Sequence, residues 1–196
     1  MPSTRLLALR HGESEWNVAG RWQGQADTSL SDGGRRQALL AAEQLGSFDG
    51  IWSSPLQRAA ETAAIIAAHI GIGPVLVDDR LGETDVGSWE GMTHAEIEAE
   101  WPGYIAGNRR PPDAEPLDDV ARRAEAAFVD IAATVPGGEV LVVTHAGLLR
   151  TLCRALGSEP YRFDNLDGSW FIVEDGQVRV GERVHLVDAE SVTDAL

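Results

Sequence analysis

Two stretches, Leu6 to Leu9 and Val140 to Thr144, are almost wholly apolar for four or five positions in a row. A strand with one wet face alternates apolar and polar residues. A short unbroken apolar run belongs to a strand covered on both faces, as inside a parallel sheet. Between the two runs the period changes to that of helices. Ser31 is placed to cap a helix whose apolar positions Ala38, Leu39, Ala42 and Leu45 run to Gly46, and Leu56, Ala59, Ala60, Ala63, Ala67 and Ile70 form a second helical stripe ending at Gly71. Asp49 to Ser53 and Val75 to Val77 read as short strands, and Pro55 suits a helix start. Thr93 caps a short helix to about Trp101. From Asp118 or Asp119 a longer helix places Val120, Ala124, Phe128, Ile131 and Val135 on one face and stops at Pro136-Gly137-Gly138.

Strands alternating with helices predict an α/β fold: a three-layer α/β/α domain with a mostly parallel central sheet, spanning 1–196 as a single unit. Asp175-Gly176, between Trp170 to Val173 and Val178 to Val184, predicts a hairpin added at the sheet edge. Val18 to Ser29 and Asp79 to Gly91 lack a sustained period and read as loops. Residues 92–117, with the proline-rich Pro102 to Pro116, form a small cap or lid expected to border a ligand. Val187 to Leu196 shows no pattern and reads as a tail.

Composition narrows the function. Sixteen basic against 31 acidic residues leave a net charge of −15, which opposes binding to nucleic acid or to an anionic membrane. No segment has the roughly 20 apolar residues of a membrane span and none resembles a signal peptide, so a cytoplasmic protein is expected. Cys153 is the only cysteine and sits among leucines, as a buried apolar residue would. His69, His94 and His185 have no metal-ligand spacing, so no metal and no cofactor are expected; nor is there a phosphate-binding G-x-x-x-x-G-K-[ST] loop.

The chemistry gathers where the two apolar runs stop. The first ends in Arg10-His11-Gly12 and the second in His145-Ala146-Gly147, 134 positions later by subtraction. Ligand sites in open α/β sheets form beyond the carboxyl ends of the strands. If these strands are adjacent and parallel, two imidazoles meet at one edge, and the helix starting near Ala146 aims its N–H groups at the same spot. Arg58, one turn into a helix after another strand end, adds a second guanidinium. Two histidines, two arginines and a helix terminus make a phosphate site.

These segments resemble the histidine phosphatase superfamily, also called phosphoglycerate mutase-like. The likeness runs from Leu6 to about Gly157: Arg10-His11-Gly12-Glu13, Asn17, Gln23-Gly24, Asp27 with Leu30, Gly34, Ser53-Ser54-Pro55-Leu56-Gln57-Arg58-Ala59, Leu81-Gly82-Glu83 with Gly87, Trp89, Glu90 and Gly91, and His145-Ala146-Gly147. The resemblance implies a phosphomonoester hydrolase acting on a small phosphorylated metabolite. His11 is then the nucleophile, forming a phosphohistidine, and Glu83 the acid that protonates the leaving oxygen and later activates water. Arg10, Arg58 and His145 are implied as catalytic phosphoryl-binding groups, with Asn17, Gln23, Gly24 and Ala146 around them. Trp22 and Trp89 fall in matched loops, where packing is their expected role. A cofactor-dependent phosphoglycerate mutase is the alternative within the family, disfavoured by Gln23-Gly24-Gln25-Ala26-Asp27 and by the chain's length; a non-catalytic phospho-ligand-binding or regulatory protein is the alternative outside it, disfavoured by the intact catalytic set. Where relatives read G-G-E-S, this chain has Asp113-Ala114-Glu115-Pro116, and Gly82 replaces a frequent polar residue, so no particular substrate carries over. The partner is a small phosphate ester; the choice between monomer and homodimer stays open.

Overall fold

A computed structural model describes residues 2–187. The expected tail therefore lies, apart from Val187, outside the described residues. Six strands, β1 (Thr4–Arg10), β2 (Gly50–Ser53), β3 (Val75–Val77), β4 (Glu139–Thr144), β5 (Asp167–Glu174) and β6 (Gln177–His185), form one sheet in the order β3-β2-β4-β1-β5-β6. β1, β2, β3 and β4 are parallel neighbours, whereas β5 runs antiparallel to both β1 and β6. The sheet is thus mostly parallel with a reversed hairpin at one side, as the patterning predicts. Asp175 and Gly176 both have positive φ at the hairpin turn, the geometry that Asp-Gly supplies.

The helices are α1 (Glu15–Val18), α2 (Asp32–Gln44), α3 (Gln57–Ile70), α4 (His94–Glu100), α5 (Leu117–Thr134) and α6 (Ala146–Ala155). The unbroken apolar runs are explained by two-sided burial. Leu6, Ala8, Val140 and Val142 pack with Phe128 and Ile131 of α5 and Leu149 and Leu152 of α6, whereas Leu7, Leu9, Leu141 and Val143 pack with Ala41 of α2 and Ile66 of α3. Cys153 joins the first of these cores, and burial pushes its thiol up to about 11. No helix among the described residues is long and apolar enough to cross a membrane.

Several boundaries differ from the sequence expectations. A one-turn helix, α1, closed by a reciprocal Ser14–Asn17 capping box, precedes the loop read from Val18 onward. On α2 the buried apolar residues are Ala38, Ala41 and Ala42, and Leu39 is exposed: with mostly small residues, the stripe left its centre ambiguous by one position. The third helix starts at Gln57, beyond Pro55, and α5 starts at Leu117 behind Pro116. The cap is real and has a small core of its own, in which Val86, Trp89 and Ile97 pack with Trp22, Met92, Trp101, Tyr104 and Ile105. Trp22 and Trp89 pack in this core with rings edge to face at 5.1 Å, and both also border the adjoining cleft.

Candidate active site

The register of β1 against β4 pairs Arg10 with Thr144, so His11 and His145 follow at the same level. Their rings lie 5.2 Å apart, edge to face. Both are buried, as is Arg58 from the first turn of α3. Above them opens a cleft of about 860 Å³, whose walls include Arg10, Asn17, Gln23, Gly24, Glu83 and Ala146. Every residue assigned to the site from sequence is therefore either in the cleft wall or buried behind it.

The hydrogen bonds give each group a direction. His11 Nδ1 lies 2.6 Å from the carbonyl oxygen of Gly12. A carbonyl only accepts, so Nδ1 carries the proton and Nε2 keeps its lone pair. Gly12 itself is fixed: its N–H donates to Thr62 Oγ1 at 3.1 Å, and a Cβ there would meet the Gly34 carbonyl oxygen at 2.7 Å. His145 Nε2 is 2.7 Å from Ser54 Oγ, and its buried Nδ1 has no protein partner. Burial first, then the Arg10 and Arg58 charges, hold the His11 pKa well below the usual imidazole range; burial, then Arg58, His11 and Arg10, do the same for His145. Both rings are neutral at pH 7.

Arg10 and Arg58 are cations without an ion-pair partner among the described residues. Arg10 Nη1 donates to the Phe163 carbonyl at 3.0 Å, Arg58 Nη1 to Ala26 O at 2.7 Å and Arg58 Nη2 to Gly24 O at 2.9 Å; both Nε atoms are buried and unsatisfied. Burial lowers both pKa values, that of Arg58 to about 10, while the Glu83 charge opposes it. A buried and a half-buried guanidinium, both held by neutral carbonyls, form a site short of one anion. Gly24 has φ +52°, and a Cβ on it would press on Val86 Cγ2 at 2.7 Å, so the turn that receives Arg58 requires glycine.

Glu83 stands across the cleft. Its Oε1 accepts from Thr84 N at 2.7 Å and Leu148 N at 3.1 Å, its Oε2 from Gly147 N at 3.1 Å. The Gly147 and Leu148 N–H groups at the N-terminus of α6 therefore hold this carboxyl group, while Ala146 lies in the cleft wall. Oε2, with one donor, retains capacity for a proton or a ligand. Gln23 Oε1 accepts from Ser14 Oγ at 2.7 Å and Thr28 Oγ1 at 2.6 Å, leaving its NH₂ as the donor for the cleft. Asn17 Oδ1 accepts from Ser14 N at 3.2 Å and Asn165 Nδ2 at 3.4 Å, with the same consequence.

The comparisons agree with this geometry. The model of the histidine phosphatase superfamily (branch 1) matches residues 6–178. The chain belongs to this superfamily. It is 42% identical over 171 residues to a glucosyl-3-phosphoglycerate phosphatase of Mycobacterium tuberculosis, covering 80% of this chain and 76% of the relative. It is 37% identical over 159 residues to a metal-independent phosphoserine phosphatase of Arabidopsis thaliana, covering 76% and 67%. A solved structure of mycobacterial glucosyl-3-phosphoglycerate phosphatase with VO3 superposes with a TM-score of 0.81 at 35% identity, over 90% of this chain and 96% of the other. A member of this superfamily with phosphatases as relatives, the chain is a phosphomonoesterase.

Sequence reasoning missed several residues that the structure places at this cleft. Ser54, within a matched motif, orients His145, while Asn165 Nδ2 donates to the His11 carbonyl at 2.9 Å from a loop with no sequence signal. Arg110, Arg150 and Arg154 line the cleft. Arg150 and Arg154 are one turn apart on the polar side of α6, and that spacing was the available clue. Of the remaining histidines, His94 borders the cleft, His69 is exposed, and His185 Nδ1 sits 2.5 Å from Asp167. Among the described residues no group of three or more His, Cys, Asp or Glu is placed to hold a metal ion.

Proposed function

We propose that this protein hydrolyses a small phosphomonoester through an Nε2-phosphohistidine on His11, needing neither metal nor cofactor, and that the alcohol it releases carries an anionic group. The observation that carries the reading is the Nδ1–H to Gly12 carbonyl bond, which commits the His11 lone pair to Nε2. In the first step Nε2 attacks phosphorus while Arg10, Arg58 and His145 bind the phosphoryl oxygens. The P–O ester bond breaks, and the Glu83 carboxyl passes its proton to the departing oxygen. In the second, the Glu83 carboxylate takes a proton from water, the water oxygen attacks phosphorus, the P–N bond breaks, and inorganic phosphate and neutral His11 are restored. Charge-assisted bonds from guanidiniums suit the spread of charge over the transferred group.

The leaving side is read from the outer cleft. Arg110 donates to two backbone carbonyls, and Arg150 and Arg154 have no acidic partner among the described residues. Like charges one helical turn apart cost a few tenths of a kcal/mol, a cost that an anionic ligand removes. In a chain of net charge −15 this wall attracts anions only locally. Carboxylated phosphate esters, the class to which the named substrates of the two relatives belong, match it. The test is a panel of phosphomonoesters assayed with EDTA present, paired so that each carboxylated ester has a neutral counterpart. The expected result is a kcat/KM preference of ~10-fold or more for the carboxylated members that Arg150→Ala erodes. Equal rates across the pairs would remove the anionic leaving group from the account; no hydrolysis of any ester would remove the hydrolase.

A further inference from the structure

The segment that presents Glu83 has no regular structure between short 3-10 turns at Asp79–Leu81 and Gly87–Trp89. One side chain of α5 holds three of its carbonyls, beside Gln25 Nε2, which donates to the Glu83 carbonyl at 3.1 Å, and Thr144 Oγ1, which donates to the Leu81 carbonyl at 2.7 Å. Arg123 Nη1 donates to the carbonyls of Arg80 and Gly82, both at 2.7 Å; Nη2 donates to the carbonyl of Glu83 at 3.0 Å. Its Nε and Nη2 hold Glu115 Oε1 at 2.8 Å and Oε2 at 3.0 Å. A guanidinium has five N–H bonds, and all five are used. Glu115 closes the arrangement from the root of the cap: its Oε2 accepts from Asp85 N at 3.2 Å and its N–H donates to Asp85 O at 3.0 Å. Arg110, also in the cap, donates to Asp85 O at 2.9 Å and Glu115 O at 3.0 Å.

An ion pair that served stability alone would be satisfied by the carboxylate. Here three of five donors go to carbonyls just before, and at, the one residue whose carboxyl must meet the leaving oxygen. We propose that Arg123 is a positioning residue for Glu83, holding it against the N-terminus of α6 through its backbone, and that Glu115 ties this clamp to the cap so that cap and acid are placed together. The inference rests on the reading of Glu83 as general acid. A general acid acts only within hydrogen-bond reach of the atom it protonates, and a misplacement of about 1 Å costs on the order of 10²-fold in rate. Lysine cannot replace the arginine, because a compact ammonium has three donors and no planar fork.

The experiment is single-turnover phosphoryl transfer to the full-length enzyme from an alkyl phosphomonoester and from p-nitrophenyl phosphate, whose phenolate leaves without an acid. In Arg123→Lys, transfer from the alkyl ester is expected to slow by ~10- to 100-fold, and transfer from the aryl ester far less, with KM little changed. Glu115→Gln, which removes the charge but keeps an acceptor, should show the same split at smaller size and carries the test should Arg123→Lys fail to fold. Equal slowing of both esters, or slowing of neither, would overturn the proposal. Glu83→Gln is the reference. If it shows no alkyl–aryl split, the general-acid reading fails; if it shows the split and the folded Arg123 and Glu115 variants do not, only the clamp fails. Combining Glu83→Gln with Arg123→Lys should add nothing further to the split.

Discussion

The His11 and His145 rings meet edge to face at 5.2 Å, at the ends of adjacent parallel strands and beside the buried Arg58 and the half-buried Arg10. Neither ring gains a proton there without burying a further positive charge. Folding therefore depresses both pKa values, chiefly through burial and then through the arginine charges.

This fixes the sign of a pH dependence. Below the ordinary imidazole pKa of about 6.5 the unfolded chain binds protons that the folded chain refuses, so stability falls as pH drops from there towards the folded values. Each histidine contributes up to about 1.4 kcal/mol per pH unit in that window. Urea melts from pH 7.5 to 5 should show the slope, and His145→Gln should reduce it. The same argument keeps the nucleophile neutral in acid: the acid limb of the phosphorylation rate is expected well below pH 6.5, and a limb centred there would refute the assignment.

Gly147 and Glu83 touch at the cleft wall, the glycine N–H donating to Oε2 at 3.1 Å. A Cβ at 147 would run into Glu83 Oε1. Gly147→Ala should therefore displace the acid and slow turnover of alkyl esters by ~10²-fold, while phosphohistidine still forms from aryl esters. Helix propensity favours Ala by about 1 kcal/mol, so the loss of rate should come without a comparable loss of folded protein in thermal melts.

Arg58, buried between the Gly24 and Ala26 carbonyls with no acidic partner among the described residues, awaits an anion. Orthovanadate or phosphate should raise the unfolding free energy, by about 2.7 kcal/mol at a hundred times Kd. Arg58→Met should lose most of that gain. A variant stabilised as strongly as the parent would show that Arg58 does not bind the phosphoryl group.

What the chain revealed by pattern was the scaffold and the strand-end chemistry. Continuous apolar runs identified two strands buried on both faces, and the chemistry at their ends located His11 and His145. Arg58 was marked by its place in the first turn of a helix after a strand end, and Glu83 came through motif resemblance, since it does not stand out by periodicity. The partners that set tautomer and position were not legible. The acceptor for His11 is a backbone carbonyl, which every residue has; Asn165 and Arg123 act across sequence separations of 154 and 40 positions. Nothing local marks such contacts. The helix centre missed at Leu39 has a different cause: in an alanine-rich stripe the face is decided by the sheet it packs on.

The central claim is a covalent bond between phosphorus and Nε2 of His11. Rapid acid-free quenching of the enzyme with substrate, followed by peptide mapping and ³¹P NMR, tests it directly. The account predicts one phosphoryl group, on His11 and on Nε2, absent from His11→Ala. Phosphate on Nδ1, on His145, or on the His11→Ala variant would contradict it.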